Sequence, residues 1–418
     1  MRIWIVQTGE PVPYLQGEYR PMRSACLVES LREAGHEVVL WTSTFSHQER
    51  RHLFVQNTVL RPAHGVEIRL VHSPGYRSNV GMQRIVDHSR LALRMQRLMA
   101  HEPIPDAAFV GFPPIETAAA VIRFLKQRNV PVLLDVKDQW PEVFMRAVPD
   151  RLRLVGGAAL APYFRFRDYS FTRADGISSI SAQFLEWALQ VAKRPAGSHD
   201  TVVPLTTRMP APSSEQAERA GGWWDSIGVV DDGRPRAVYI GALTESVDWS
   251  AVVDAAERSG FQIVVAGNGP FRSNLERAAE DTPSLVVPGP VDRIQGHVLY
   301  GRSTIGLAPY VARDGFDLSI PNKIYDYLAH GLPVVCGPGT PVADLVAVER
   351  VGASYGVGVS LSEAMQKTKS DEANLAATVE RCTAFHAAQY SYDVVYPGLV
   401  RHLEAMAGAL TTTTDARR

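Results

Sequence analysis

The chain has 418 residues, of which 45% are hydrophobic and 21% charged, the make-up of a folded globular protein. That length exceeds what one hydrophobic core usually serves, so two domains are expected. With a net charge of −1, no global field draws the chain to nucleic acid, and no nucleic-acid partner is expected.

Residues 3–6 are a short apolar run, followed by a Gly- and Pro-containing loop over 8–21. Ala25, Leu27, Val28, Leu31 and Ala34 then fall largely at helical spacing, and Gly35 stands where a helix C-cap favours glycine. Residues 37–41 are again apolar and β-branched, completing a βαβ unit. The pattern continues with strands over 66–71, 107–111, 132–135, 176–180 and 201–203, and helices over 83–99, 115–127 and 182–191, the last with Ser181 as N-cap. The stretch 204–235 is dense in Pro, Gly, Ser and Asp and reads as a linker or long loop. A second alternating series follows, with strands over 237–240, 263–266, 285–287, 305–309 and 334–336 and helices near 250–258, 271–280, 292–300 and 322–329. Residues 371–409 are mostly helical with a break near 390–392, and the tail 411–418 has nothing to bury and is expected to be disordered.

Two serial sets of alternating strands and helices imply two doubly wound α/β domains. Ligands of such sheets bind outside the carboxyl ends of the strands, and two such edges facing each other would form a cleft. Cys26, Cys336 and Cys382 are too far apart for a disulfide framework or a metal site, and the histidines show no metal pattern, so no metal is expected. No run resembles a signal peptide or reaches the roughly 18 apolar residues of a spanning helix. A cytoplasmic protein is expected, resting at most on the inner face of the cell membrane.

The most informative run is SIPNKIYDYLAHGLPVV (319–335). Pro321 suits the first turn of a helix that Gly331 ends. Ser319, Asn322 and Lys323 then lie beside free backbone N–H groups, a set suited to a diphosphate, while Asp326, one turn on, suits the vicinal hydroxyls of a ribose. A plain capped helix with solvated Lys323 and Asp326 fits the spacing equally well.

This run closely resembles the nucleotide-binding helix of family-4 retaining glycosyltransferases of the GT-B fold, particularly bacterial enzymes of surface-polysaccharide synthesis. GHEV (35–38), DQWP (138–141), YIGAL (239–243), AGNGP (266–270) and SYD (391–393) resemble other family segments in order and separation. The resemblance implies an α/β GT-B architecture: a Rossmann-like acceptor domain over 1–204, completed by a C-terminal helix at 390–410, and a nucleotide-sugar domain over 205–389. It implies transfer of a sugar, with no cofactor, from a UDP-sugar or GDP-sugar to a glycan or lipid-linked acceptor hydroxyl. It places Gly241, Ala242, Gly269, Ser319, Asn322, Lys323 and Asp326 around the donor, with Lys323 and Asp138 in catalytic positions. Lys137 and Trp140 fall on the acceptor side. Two departures stand out. The acid expected eight residues before Asp326 is Leu318, and GALTESVD (241–248) lacks the family's cations. A sugar-nucleotide epimerase of the same fold, or a catalytically silent scaffold in a glycan-assembly complex, are the alternative readings.

Three assignments have a functional and a structural reading side by side. Asp138 either meets the acceptor or caps the helix that starts near Pro141. Arg20 and Arg23 either meet a donor or acceptor phosphate or belong to a solvated loop. The arginines of 146–173 flank an apolar stretch, which suits peripheral contact with an anionic membrane, or a buried helix with solvated ends.

Overall fold

The computed structural model describes residues 1–15, 20–78, 81–146, 148–208, 210–312, 318–370 and 372–415, with 410–415 described through their backbone alone. The chain forms two units. The first is Met1–Gly17, Pro21–Thr207 and Val395–Arg418; the second is Arg208–Val394 together with Glu18–Arg20.

In the first unit the strands are β1 (Arg2–Val6), β2 (Glu37–Ser43), β3 (Phe45–Ser46), β4 (Arg51–His52), β5 (Thr58–Ala63), β6 (Val66–Val71), β7 (Ala107–Phe112), β8 (Val132–Val136), β9 (Gly176–Ser179) and β10 (Thr201–Val202). Eight of them form one sheet in the order β10-β9-β8-β7-β1-β2-β6-β5, and β3 and β4 make a separate small hairpin. The central strands are mostly apolar and buried on both faces, as parallel strands covered by helices must be. Within the eight-stranded sheet, among the described residues, β5 alone runs antiparallel to its neighbour. No apolar run marks it in the sequence, because it is a half-exposed edge strand. Its register shifts between Leu60 and Ala63, and Pro62 sits there, where a missing N–H breaks no central ladder. The chain order reverses between β1 and β7, so the loops after these strands open the crevice of this sheet.

The second unit contains β11 (Arg236–Ala242), β12 (Gln262–Asn268), β13 (Leu285–Gly289), β14 (Ile305–Ala308), β15 (Val334–Cys336) and β16 (Gly352–Ser354). They form a parallel sheet in the order β13-β12-β11-β14-β15-β16, the doubly wound arrangement whose switch point lies between β11 and β14.

The expected linker contains a helix, Ser214–Ser226, opened by a capping box of Ser213 and Gln216. Its interior Gly221-Gly222 pair disguises it in the sequence. Gly221 leaves room for Arg302, whose Nη2 would lie 3.0 Å from a β-carbon there. Trp224 anchors the helix, fully buried and donating from Nε1 to the Gln295 carbonyl. At the other end, the last helix runs Tyr392–Asp415, so residues 411–415 are helical rather than an unstructured tail. Once a helix is nucleated, each added residue gains a hydrogen bond at small entropic cost. Residues 416–418 lie outside the described residues. Among the described residues, no helix is long and apolar enough to cross a membrane.

Candidate functional site

The helix Asn322–Ala329 is clamped beneath the switch point of the second sheet. Tyr327 donates from its buried hydroxyl toward the Val238 and Leu307 carbonyls at 3.0 and 3.1 Å, bridging β11 and β14. Gly306 makes this possible, since a β-carbon there would stand 2.4 Å from the Tyr327 ring. The loops after the two strands are joined as well. The Asp248 amide donates to the Pro309 carbonyl, and the Val311 amide to that of Ser246. The N-terminus of this helix is therefore held at the crevice, with Pro321 as N-cap and no side chain capping it. The first amides of such a helix have no intrahelical partner.

Lys323 projects from that end into protein. It is only 8% exposed, and its ammonium lies 3.2 Å from the centroid of Tyr239 and 5.5 Å from that of Tyr310. Its Nζ has no hydrogen bond or ion pair with any described residue. Burial drives its pKa well below the ordinary lysine value, against a weaker pull upward from Asp326. The aromatic faces return part of the lost hydration, on the order of 2 kcal/mol for a desolvated cation–π contact. Gly241 provides the space: a β-carbon at that position would sit 2.6 Å from Nζ. Lys323 thus reaches the loop that carries no cation of its own.

The other expected donor residues divide. Ala242 is exposed beside Gly241. Gly269 and Gly267 are explained by packing alone, because β-carbons there would stand 2.4 Å from the Leu243 carbonyl and 1.8 Å from that of Gly241. Ser319 and Asn322 are half-buried at the helix start, and neither caps it. Asp326 is held by Arg20, which is part of this unit, through two bonds of 2.6 and 2.9 Å. Arg20, expected to meet a phosphate or to lie in a solvated loop, instead forks onto Asp326, the paired geometry that a guanidinium favours with a carboxylate.

In the first unit a cavity of about 300 Å³ opens at the carboxyl ends of β1, β7 and β8. Asp138, Lys137 and Trp140 all line it, with Glu10, Arg84 and His47. Lys137 is pinned to Glu10 at 2.6 Å. Burial alone would raise the Glu10 carboxyl, but Lys137 and bonds from Ser24 hold it below its usual value. Asp138, in contrast, is exposed toward the cavity and has no hydrogen bond or ion pair with any described residue. It does not cap the Glu142–Arg146 helix. Desolvation by the surrounding wall raises its carboxyl pKa, opposed by Lys137 and Arg84. Arg84 stacks on Trp140 at 4.4 Å, and His47 Nδ1 meets the Tyr76 hydroxyl at 2.6 Å. Burial and the nearby Arg84 lower the His47 pKa, while burial raises that of Tyr76, so both partners of this contact favour their neutral forms.

Arg23 does not reach this cavity. Its side chain is fully buried, paired with the equally buried Asp135 at 3.2 Å, and it donates to the Val203 carbonyl. It is a core ion pair rather than a phosphate contact.

Sequence reasoning missed Tyr239 and Tyr310, the aromatic walls of Lys323, and Arg84, His47 and Tyr76 in the cavity. Tyr239 was legible as a neighbour of Gly241, but a strand tyrosine carries no sign of what lies across it. Arg84 stands in the first turn of the helix Met82–Met99, with no local motif.

Residues 234–371 match the family of group 1 glycosyl transferases. The second unit carries a glycosyltransferase group 1 domain. Among solved structures, sucrose-phosphate synthase from Thermosynechococcus elongatus is similar over 100% of both chains, at 14% identity and a TM-score of 0.69. The Anabaena protein HepE, solved in complex with UDP, is similar over 97% of this chain and 99% of its own, at 13% identity and a TM-score of 0.63. WaaG, a glycosyltransferase involved in lipopolysaccharide biosynthesis, is similar over 96% of this chain and 99% of its own, at 12% identity and a TM-score of 0.61. No curated protein sequence matches the chain. At such identities the structural likeness establishes the fold, which is GT-B. Domain and fold agree in making the chain a glycosyltransferase.

Proposed function

We propose that the chain is a retaining glycosyltransferase of family 4. It would move a sugar from a nucleoside-diphosphate donor to an acceptor hydroxyl, the acceptor being a lipid-linked or polysaccharide intermediate of bacterial cell-surface glycan synthesis. Lys323 carries the donor half of this reading. A buried cation without a protein counter-ion is costly, and its position at a helix N-terminus on the switch point suits a ligand that brings the negative charge itself. As the bond from the sugar to the diphosphate breaks, charge grows on the phosphate oxygens. Lys323 and the first amides of its helix are aimed where that charge develops.

The first-unit cavity suits the acceptor. Trp140 offers an apolar face and Asp138 an unpaired carboxylate that can accept a hydrogen bond from a sugar hydroxyl. UDP is the base to try first, since HepE has been solved with UDP and also with UDP-glucose. The surface-glycan assignment rests on the sequence resemblance, with WaaG as a relative in fold that serves lipopolysaccharide synthesis.

The test is calorimetric titration of the full chain with UDP, GDP, ADP and dTDP, followed by assay of nucleotide release from the matching sugar conjugates with and without glycan acceptors. The reading expects one diphosphate to bind and its release to depend on acceptor. Absence of binding in folded protein overturns it; release of free sugar without acceptor replaces transfer by donor breakdown.

A further inference from the structure

We propose that the solvent face of the Arg153–Arg173 helix, together with the segment leading into it, docks on an anionic lipid bilayer. This helix carries apolar side chains on more than one face: Phe171 packs inward against Phe112 and Trp187, and others point to solvent. Of its residues only Ser170 and Phe171 are buried. The inward side holds polar contacts: Tyr163 donates to Glu116 at 3.0 Å, and Arg167 is taken up by Glu142 and Asp168. The outward side carries a run of apolar side chains among its arginines. Leu154 is 92% exposed, Val155 67% and Phe166 46%, and just before the helix Leu152 is 47% exposed. Leu154, Ala158 and Pro162, and likewise Val155, Ala159 and Phe166, recur near helical spacing, so they form one stripe.

Cations border that stripe. Arg146, Arg151, Arg153, Arg165 and Arg173 are all exposed, while the carboxylates of Asp150 and Asp168 are each taken by an arginine, Arg153 at 2.9 Å and Arg167 at 2.6 Å. Aliphatic side chains directed into solvent and ringed by guanidinium groups fit the boundary between lipid tails and phosphate headgroups. The apolar groups enter the acyl region, and the arginines extend to the phosphates. A second copy of the chain is a poorer occupant. A two-fold interface would set this basic patch against itself.

The surface lies close in sequence to the acceptor cavity. Trp140 lines that cavity, Val143 three residues on is 41% exposed, and Arg146 donates back to Gln139.

The experiment is co-sedimentation of the full chain with phosphatidylcholine vesicles, with and without phosphatidylglycerol, over a range of salt. No sugar donor is present, so the outcome is independent of the glycosyltransferase reading. Binding is expected only to the anionic vesicles and should weaken as salt rises. Arg151→Gln with Arg153→Gln should weaken it roughly 25-fold, at about fivefold for each charge removed. Leu154→Ser with Val155→Ser should also release the protein. Both pairs are exposed, so thermal melting should stay as in the parent. Equal binding to neutral vesicles, binding to neither, or variants that bind like the parent would overturn the proposal. So would a parent dimer that the serine pair converts to monomer, which would make the face a contact between copies.

Discussion

Buried cations of the chain meet three kinds of surroundings, one of them the neutral oxygens of Gln262, Arg302 and Val230 around Arg236. In the first unit Arg23 is matched by Asp135 and Lys137 by Glu10, so the charges are neutralised within the protein. In the second unit Lys323 is as deeply enclosed but faces two aromatic rings, with no carboxylate on its ammonium. A matched pair holds a fold together only while both partners remain; an unmatched charge weakens the fold and waits for an anion.

The comparison can be broken most decisively at Arg23. Arg23→Met leaves the buried Asp135 carboxylate only the Ser178 hydroxyl and the more distant Lys137 at 3.9 Å, and should cost about 3 kcal/mol of stability in urea unfolding, while nucleotide affinity of the folded fraction stays unchanged. Lys323→Met should do the opposite. Affinity for the nucleoside diphosphate should fall roughly 30- to 100-fold, corresponding to the loss of about 2–3 kcal/mol from a charged hydrogen bond. Thermal stability should be equal or higher, because a desolvated charge has gone. A large stability loss in Lys323→Met would show that Lys323 is matched after all. A third and smaller effect is expected at Asp138, the one unmatched acid of the cavity. Asp138→Asn should lower acceptor-dependent turnover about tenfold, with nucleotide affinity within about twofold of the parent.

The finest discrimination comes from pH. The Lys323 pKa is depressed in the ligand-free fold, so the unfolded chain holds a proton that the folded chain has released between that depressed value and the ordinary lysine value. Stability of the free protein should therefore rise with pH across this window. A bound diphosphate restores the charge and takes up the proton, so affinity should fall with pH across the same window, by at most about tenfold per pH unit. Calorimetry in two buffers of different ionisation enthalpy reads the proton directly. Lys323→Met should abolish both trends, and an unchanged slope in that variant would assign the proton elsewhere.

Much of this was legible in the sequence. Alternating apolar runs revealed both sheets because parallel strands buried on both faces must be apolar, and the 319–335 run marked the helix that bears Lys323. What stayed hidden depends on contacts across the fold. The edge strand β5 lacks an apolar run, and the Ser214–Ser226 helix is masked by its glycines. Arg20 and Arg23 look alike in sequence, three residues apart, yet one grips Asp326 and the other is sealed against Asp135. No local pattern distinguishes two such arginines, whose partners lie far along the chain.

The close fit of Gly241 around the Lys323 amine also constrains how this site can change by mutation. Any side chain gained at Gly241 collides with the ammonium. A new cation in the 241–248 loop is then useful only if it arises beyond Gly241 or after Lys323 has been lost. The order of substitutions matters: the two positions form an epistatic pair. A lineage that has placed its charge on the helix cannot return it to the first residue of the loop in one step without passing through a site crowded by both.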